Sequence, residues 1–335
     1  MNKPFFSIIV PFYNVENYID DCIKSIQLQS FIDYEVIFVD DNSSDSSSEI
    51  VNSYISNNSN FRVISLTDNL GMGIARNLGI EKANGDYIIF IDSDDTVEPD
   101  LLSSVFNELS EHKFEADVVQ FNYNIVNVNL ELISKSDYKN KIHKIYNKDL
   151  QDLGSFNINT IHSNCFVDNV PNCWAKSYKR DFLLKNKITF PDTLFEDSVF
   201  SNLVLLNASK IIYIDKCLYN YRRGRPRSIT SSKSKKVFDI FKNISILRHY
   251  LSNNKFSKYK CQFNNFVLYQ IATAKACLPK EYLGEFRKEC KKHLSVIQYL
   301  CIAYLLKDKK GTAIRFLSFS YWLYKLNKKK WKFTE

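Results

Sequence analysis

No window of this chain holds the roughly 18 uninterrupted apolar residues that a membrane-spanning helix needs. The longest apolar stretches, 296–306 and 314–326, are too short or carry polar interruptions. The opening MNKPFFSIIVPFYN lacks a signal-peptide pattern, since Pro11 and Asn14 break its apolar run and no small-residue cleavage site follows. The eight cysteines (22, 165, 173, 217, 261, 277, 290 and 301) form no CxxC pair and no Cys/His metal spacing. A zinc site is therefore not expected, and the thiols read as small buried hydrophobes in a reducing cytoplasm. No internal repeat occurs, so a solenoid is not expected either.

The 335 residues, 45% hydrophobic and 24% charged, have an ordinary globular composition and suit one large domain plus a smaller one. Charge is unevenly placed: residues 222–335 carry 27 Lys and Arg against 6 Asp and Glu, while residues 1–221 carry 18 against 31. A basic carboxyl-terminal third suits an anionic partner such as a membrane surface, nucleic acid or a phosphate-rich substrate. Lysines that only solvate helix faces would give the same count.

The first hundred residues alternate in type. FFSIIVPF (5–12), YEVIFVD (34–40), FRVISL (61–66) and DYIIFID (86–92) read as strands. Between them, Asn14 is placed to cap a helix carrying Ile19, Cys22, Ile23 and Ile26, and Ser46 and Glu49 stand at capping-box spacing. Residues 71–82 read as a third helix. Alternation of this kind predicts an α/β fold with a mostly parallel, doubly wound, Rossmann-like sheet, whose ligands bind beyond the carboxyl ends of the strands. Further on, 99–109 reads as a helix, 116–126 as a strand, WAKSYKRDFLL (174–184) as a helix, and 188–206 as a segment with an acid pair opening an apolar helix. Beyond about 232 the chain is Lys-rich with helical periodicity.

DYIIFIDSDD (86–95) packs three carboxylates, Asp92, Asp94 and Asp95, into four positions at the end of an apolar strand. They repel one another unless a cation sits among them, although a solvated turn also favours Asp. Asp92 and Asp94 alternate along the backbone, so both can reach one hard divalent ion, Mn²⁺ or Mg²⁺, with water and substrate phosphate completing the shell. Glu196–Asp197 lies about a hundred residues later at a helix start, where an acid serves either as a general base or simply as a dipole-complementing cap.

PFYN (11–14), VDDNSSD (39–45), NLGMGIARNLGI (69–80), IDSDD (91–95), WAKSYKRDFL (174–183), FEDSVF (195–200) and YNYRRGRPRSIT (219–230) together resemble the ordered signature of bacterial family 2 glycosyltransferases, of the type that builds capsules and other surface polysaccharides. The likeness spans 5–230. It implies a GT-A fold over 1–230, a nucleotide-sugar donor (a UDP-sugar favoured), Mn²⁺ or Mg²⁺ as cofactor, and inversion at the anomeric carbon; residues 231–335 carry no motif of the family and read, from charge and periodicity, as a basic α-helical region. Carried over, Pro11 and Tyr13 would line the nucleotide pocket, and Asp40 and Asp41 would face the base. Arg76 would approach the phosphates with Asn77 supporting its loop. Asp92 and Asp94 would hold the metal, with Ser93 between them on the donor side, and Asp95 would orient the donor sugar. Arg222, Arg227 and Ser228 would close over the diphosphate. Asp197 would be the base with Glu196 beside it, and Trp174 and Lys176 would lie on the acceptor side.

GMGIAR (71–76) has Arg where a dinucleotide fingerprint needs its third glycine, which excludes that reading. A metal-dependent nucleotidyltransferase or a nucleic-acid-binding protein using the basic third are the alternatives, and the second leaves the acid clusters unexplained. IRFLSFSYWLYKLNKKKWKF (314–333) mixes aromatics with lysines as interfacial helices do. The resemblance implies a glycan or lipid-linked glycan acceptor (capsule, lipopolysaccharide or exopolysaccharide), and the composition of 314–333 suits the inner face of the cytoplasmic membrane; no nucleic acid is expected. A helical cap or a homodimer contact would use the same residues.

Overall fold

The computed structural model describes residues 3–136, 155–157, 169, 171–225, 234–252 and 259–294. The chain divides into two compact units, 1–228 and 229–335.

The first unit is built on a nine-stranded sheet. Its strands are β1 (Phe6–Phe12), β2 (Tyr34–Asp40), β3 (Phe61–Ser65), β4 (Tyr87–Phe90), β5 (Thr96–Val97), β6 (Val118–Val126), β7 (Leu132–Lys135), β8 (Lys176–Lys179) and β9 (Ile211–Arg222). They lie in the order β3-β2-β1-β4-β8-β6-β9-β5, with β7 paired to β6. The pairs β1–β2, β1–β4, β2–β3 and β6–β9 are parallel. β8 runs antiparallel between β4 and β6, while β5 and β7 are antiparallel additions to β9 and β6.

All seven positions of β1 are buried, as a strand covered on both faces requires. Phe6, Ile8, Ile9, Val10 and Phe12 have no exposed surface, and burial of each contributes about 1.5–3 kcal/mol. Pro11 is tolerated there because β4 stops pairing at Phe90, opposite Ile9, one residue short of the point where a missing N–H would matter on that side. The chain runs outward from β1 through β2 to β3, then returns to place β4 on the other side of β1. The carboxyl ends of β1 and β4 therefore flank the switch point where such sheets bind ligands.

The helices of this unit are α1 (Ile19–Gln27), α2 (Ser47–Ile55), α3 (Met72–Lys82), α4 (Leu101–Glu111), α5 (Arg180–Lys185) and α6 (Glu196–Asn207). Three local expectations are corrected. Asn14 does not cap α1: it sits at φ +50°, and its side-chain oxygen accepts from the Ser44 N–H at 2.8 Å, tying the β1 loop to the β2 loop. The Ser46–Glu49 box does not form, because Glu16 and Asp45 already accept from the Ser46 and Ser47 amides at the start of α2. In the stretch 174–184 only the part from Arg180 onward is helical. Residues 176–179 pair instead with β4 and β6, whose open edges outweigh a local helical pattern.

In the second unit the described helices are α7 (Asp239–Ser252), α8 (Lys260–Ala276) and α9 (Leu283–His293), preceded by 3₁₀ turns at Lys235–Phe238 and Lys280–Tyr282. α7 packs on α8, and Phe241 meets Phe286 of α9 at 5.2 Å between ring centroids. Among the described residues no helix is long and apolar enough to cross a membrane. The aromatic, Lys-rich stretch 314–333 lies outside the described residues, as do Arg227 and Ser228.

Candidate active site

Each carboxylate of the 92–95 loop is partnered, Asp95 and Asp94 by groups of their own and Asp92 by one it shares. Asp95 has no exposed surface; its two oxygens accept from the Tyr219 hydroxyl at 2.7 Å and the Arg222 N–H at 2.7 Å. Burial, reinforced by the charges of Asp94 and Asp92, pushes its carboxyl well above the usual range. Tyr219 also accepts from the Asp92 N–H at 3.0 Å, so one hydroxyl fixes the loop to β9. Asp95 therefore anchors the loop from beneath instead of facing a ligand. Ser93 is buried as well. Asp94 is ion-paired with Arg225, and burial outweighs that pairing to raise its carboxyl. Asp92 accepts from Arg76 Nη2 at 2.8 Å.

Arg76 also reaches the second acid cluster. Its Nη1 donates to Glu196 at 2.7 Å and to Asp197 at 3.2 Å. The local architecture that permits this is specific. A Cβ on Gly73 would stand 2.8 Å from the Pro191 carbonyl and 3.2 Å from Glu196 Cγ, so only glycine lets α3 approach the segment preceding α6. Asn77 clamps the same segment, donating to the Phe190 carbonyl at 2.8 Å and accepting from its N–H at 2.9 Å. Phe195, at φ +63°, turns the chain into α6.

Asp197 is about a quarter exposed. Burial pushes its carboxyl up to about 7; Arg76 opposes the shift, while Glu196 and Asp92 add to it. Three carboxylates sharing one guanidinium explain why the neighbouring cation does not hold the group in the ordinary acid range. The buried Cys173 thiol hydrogen-bonds Asp197. Lys176, buried on β8, donates to the Asn172 carbonyl at 2.8 Å and is pushed down to about 8 by burial.

Tyr13 follows β1 and is 39% exposed, and Pro11 lies in the sheet behind it. Asp40 accepts from the Ser43 N–H at 2.8 Å and from the Ser48 hydroxyl. Asp41 accepts from the Leu70 and Gly71 amides at 2.7 and 2.9 Å, joining the end of β2 to the start of α3. Both acids shape the floor of this loop region.

Arg222 is placed differently from the diphosphate contact implied for it. Its guanidinium is buried, pairs with Asp21 at 2.9 Å, donates to the Val128 carbonyl at 3.1 Å and lies over the Tyr18 ring. The arginine that does face the carboxylates is Arg225, which sequence reasoning missed; Gly224, at φ +87°, makes the turn that aims it. Tyr219 and Cys173 were also missed. Trp174 is buried, stacked on Tyr219 at 4.4 Å and Tyr221 at 5.1 Å, so it backs the hydroxyl that holds the 92–95 loop.

Among the described residues no three His, Cys, Asp or Glu side chains are arranged as a metal cluster. A two-carboxylate site completed by substrate phosphates is nevertheless what Mg²⁺ and Mn²⁺ accept. Asp94 and the second oxygen of Asp92 supply hard oxygens inside a group of acids that outnumbers Arg76 and Arg225, so the residues fit such an ion.

The family model described as glycosyl transferase family 2 matches residues 7–168. Glycosyltransferase GlyG of Streptococcus pneumoniae serotype 4 is 32% identical over 225 residues, 65% of this chain and 70% of that protein. Poly(ribitol-phosphate) beta-N-acetylglucosaminyltransferase TarS of Staphylococcus aureus is 28% identical over 249 residues, 72% of this chain and 40% of that protein. The crystal structure of S. aureus TarS 1–349 with UDP-GlcNAc superposes with a TM-score of 0.59 at 23% identity, covering 88% of this chain and 89% of that one, which shows a common GT-A fold. The mannosyltransferase PcManGT of Pyrobaculum calidifontis, solved with GDP-Man and Mn²⁺, matches at a TM-score of 0.50 and 14% identity over 96% of this chain and 84% of that one.

Proposed function

Because the chain belongs to glycosyl transferase family 2, we propose that it transfers a sugar, with inversion, from a UDP-sugar to a hydroxyl of a surface-glycan acceptor, with Asp197 as the general base. The observation that carries this reading is the reach of Arg76, which brings Asp92 at the donor end and Asp197 on α6 to one guanidinium. As the acceptor oxygen forms its bond to the anomeric carbon, the bond to the diphosphate oxygen breaks and the acceptor proton passes to Asp197. A carboxylate raised to about 7 is matched to that task near neutral pH. Tyr13 offers its exposed ring to the base, and Arg225 brings a positive charge to the phosphate side of Asp94. Asp94 and Asp92 would hold Mn²⁺ or Mg²⁺, which when bound acts as a Lewis acid toward the leaving diphosphate. The aromatic and basic composition of 314–333 supports peripheral contact with an anionic membrane bearing a lipid-linked acceptor.

Screening purified protein with Mn²⁺ against UDP-, GDP- and dTDP-sugars for release of the nucleoside diphosphate tests the reading. UDP release from at least one donor is expected, strengthened by acceptor. Pyrophosphate as the product would instead mark a nucleotidyltransferase.

A further inference from the structure

Arg76 stands where the family resemblance implies a contact to nucleotide or phosphates, yet its side chain is only 4% exposed. A guanidinium that serves a diphosphate needs donors open to the cleft. Here Nη1 is shared between Glu196 and Asp197, Nη2 is on Asp92, and Nε is buried without a hydrogen-bond partner among the described residues. The Phe190 ring lies 5.3 Å from the guanidinium carbon, and Gly73 and Asn77 hold α3 against the segment that contains it.

We infer that Arg76 is a positioning residue: it fixes the Asp197 carboxylate relative to Asp92 and supplies the permanent positive charge against which Asp197 exchanges its proton. The inference rests on Asp197 being the base. Five groups face that carboxylate: Arg76 from α3, Glu196 beside it on α6, Asp92 after β4, and Cys173 and Lys176 from β8 and the residues before it. Arginine cannot lose its proton in a protein, whereas a buried lysine can, so Arg76 alone guarantees a counter-charge across the working pH range. Glu196 takes the same Nη1 as Asp197, so that donor is divided between them: Asp197 stays able to take up a proton, while its bond to Arg76 keeps it from being protonated throughout.

The test compares wild type with Arg76→Lys, Arg76→Gln and the double variant Arg76→Gln/Glu196→Gln in the full chain. The acid limb of the pH profile for UDP release should move to higher pH by about one unit or more in Arg76→Gln, and by less in Arg76→Lys. UDP affinity measured by calorimetry without metal should stay within about twofold of wild type. A tenfold or greater loss of UDP affinity with an unmoved acid limb is what a lost phosphate contact predicts, and it would overturn the inference. Thermal melting needs no substrate and separates this inference from the functional reading. The gap in Tm between Arg76→Gln and wild type should widen from pH 5.5 to pH 8.5 as Asp197 ionises without its counter-charge, and the double variant should narrow it. A gap independent of pH would overturn the inference even if turnover behaved as expected. Failure of wild type to release nucleotide from any donor would sink the functional reading and leave melting to judge Arg76.

Discussion

The two acid clusters of the catalytic unit solve the same electrostatic problem in opposite ways. In the loop after β4 the acids are distributed: Asp95 to Tyr219 and a backbone amide, Asp94 to Arg225, Asp92 to Arg76. At the start of α6, Glu196 and Asp197 share a single guanidinium that Asp92 also uses. A carboxylate with its own donors becomes part of the scaffold. Asp197 differs in being about a quarter exposed as well as raised to about 7, so its carboxyl can exchange a proton with a bound molecule, which is what base catalysis needs.

The sharpest way to break this contrast is to neutralise one acid from each cluster. Asp197→Asn should lower turnover by about 10³-fold or more, some 4 kcal/mol of transition-state stabilisation, with UDP affinity intact and Tm unchanged or raised because it relieves the local surplus of acid. In wild type, kcat/KM should rise about tenfold per pH unit below about 7 and level off above it, as the raised Asp197 carboxyl ionises. The same raised group makes its contribution to stability fall as pH increases: the contribution is fully present below the ordinary carboxylate range and lost by about 7. An Asp197→Asn protein that kept most of its turnover would assign the base elsewhere.

Asp95→Ala addresses the other cluster and should act through folding. It leaves the buried Tyr219 hydroxyl and the Arg222 N–H without their acceptor, at about 1–3 kcal/mol for each group. Chemical denaturation should therefore show a loss of about 2–6 kcal/mol, where Asp197→Asn shows none. Equal destabilisation of both variants would erase the distinction between scaffold acid and functional acid.

Gly73→Ala probes the approach that lets Arg76 bridge the clusters. The added methyl meets a backbone carbonyl, which cannot swing aside as a flexible side chain can, and overpacking of this kind costs about 1–3 kcal/mol. Turnover should fall together with stability, because α3 carries Arg76. A variant that lost stability yet kept the acid limb and rate of wild type would show that the bridge does not depend on this packing.

How much of this was legible differs along the sheet. β1, β2 and β4 are largely apolar runs, β2 and β4 lead into acids, and the alternation of strands with helices made the parallel order and the binding end readable. β8 was not, because KSYK buries a lysine and a serine, and its strand identity comes from the two edges it fills. Glu196 and Asp197 were readable as an acid pair opening a helix. Their link to Arg76 was not, since the partners stand 120 residues apart and their meeting depends on the Gly73 contact. Among the arginines after β9, composition identifies a cationic segment but not a direction. Packing against Tyr18 takes Arg222 to Asp21, and the turn at Gly224 sends Arg225 to Asp94.

That last divergence supplies the smallest expected effect. The Asp94–Arg225 pair is partly exposed, with side chains 13% and 19% accessible, so removing it should alter stability by no more than about 1 kcal/mol. Its consequence lies in competition. In nucleotide-free protein the guanidinium occupies the carboxylate that would hold the divalent ion, and Arg225→Gln should therefore tighten Mn²⁺ binding, by about three- to tenfold in a calorimetric titration. With UDP present the advantage should shrink, because phosphate oxygens offer Arg225 another partner. Weaker Mn²⁺ binding by the variant in the absence of nucleotide would mean that Arg225 supports the site instead of competing for it, and the loop after β9 would then join Asp95 on the scaffold side of the comparison.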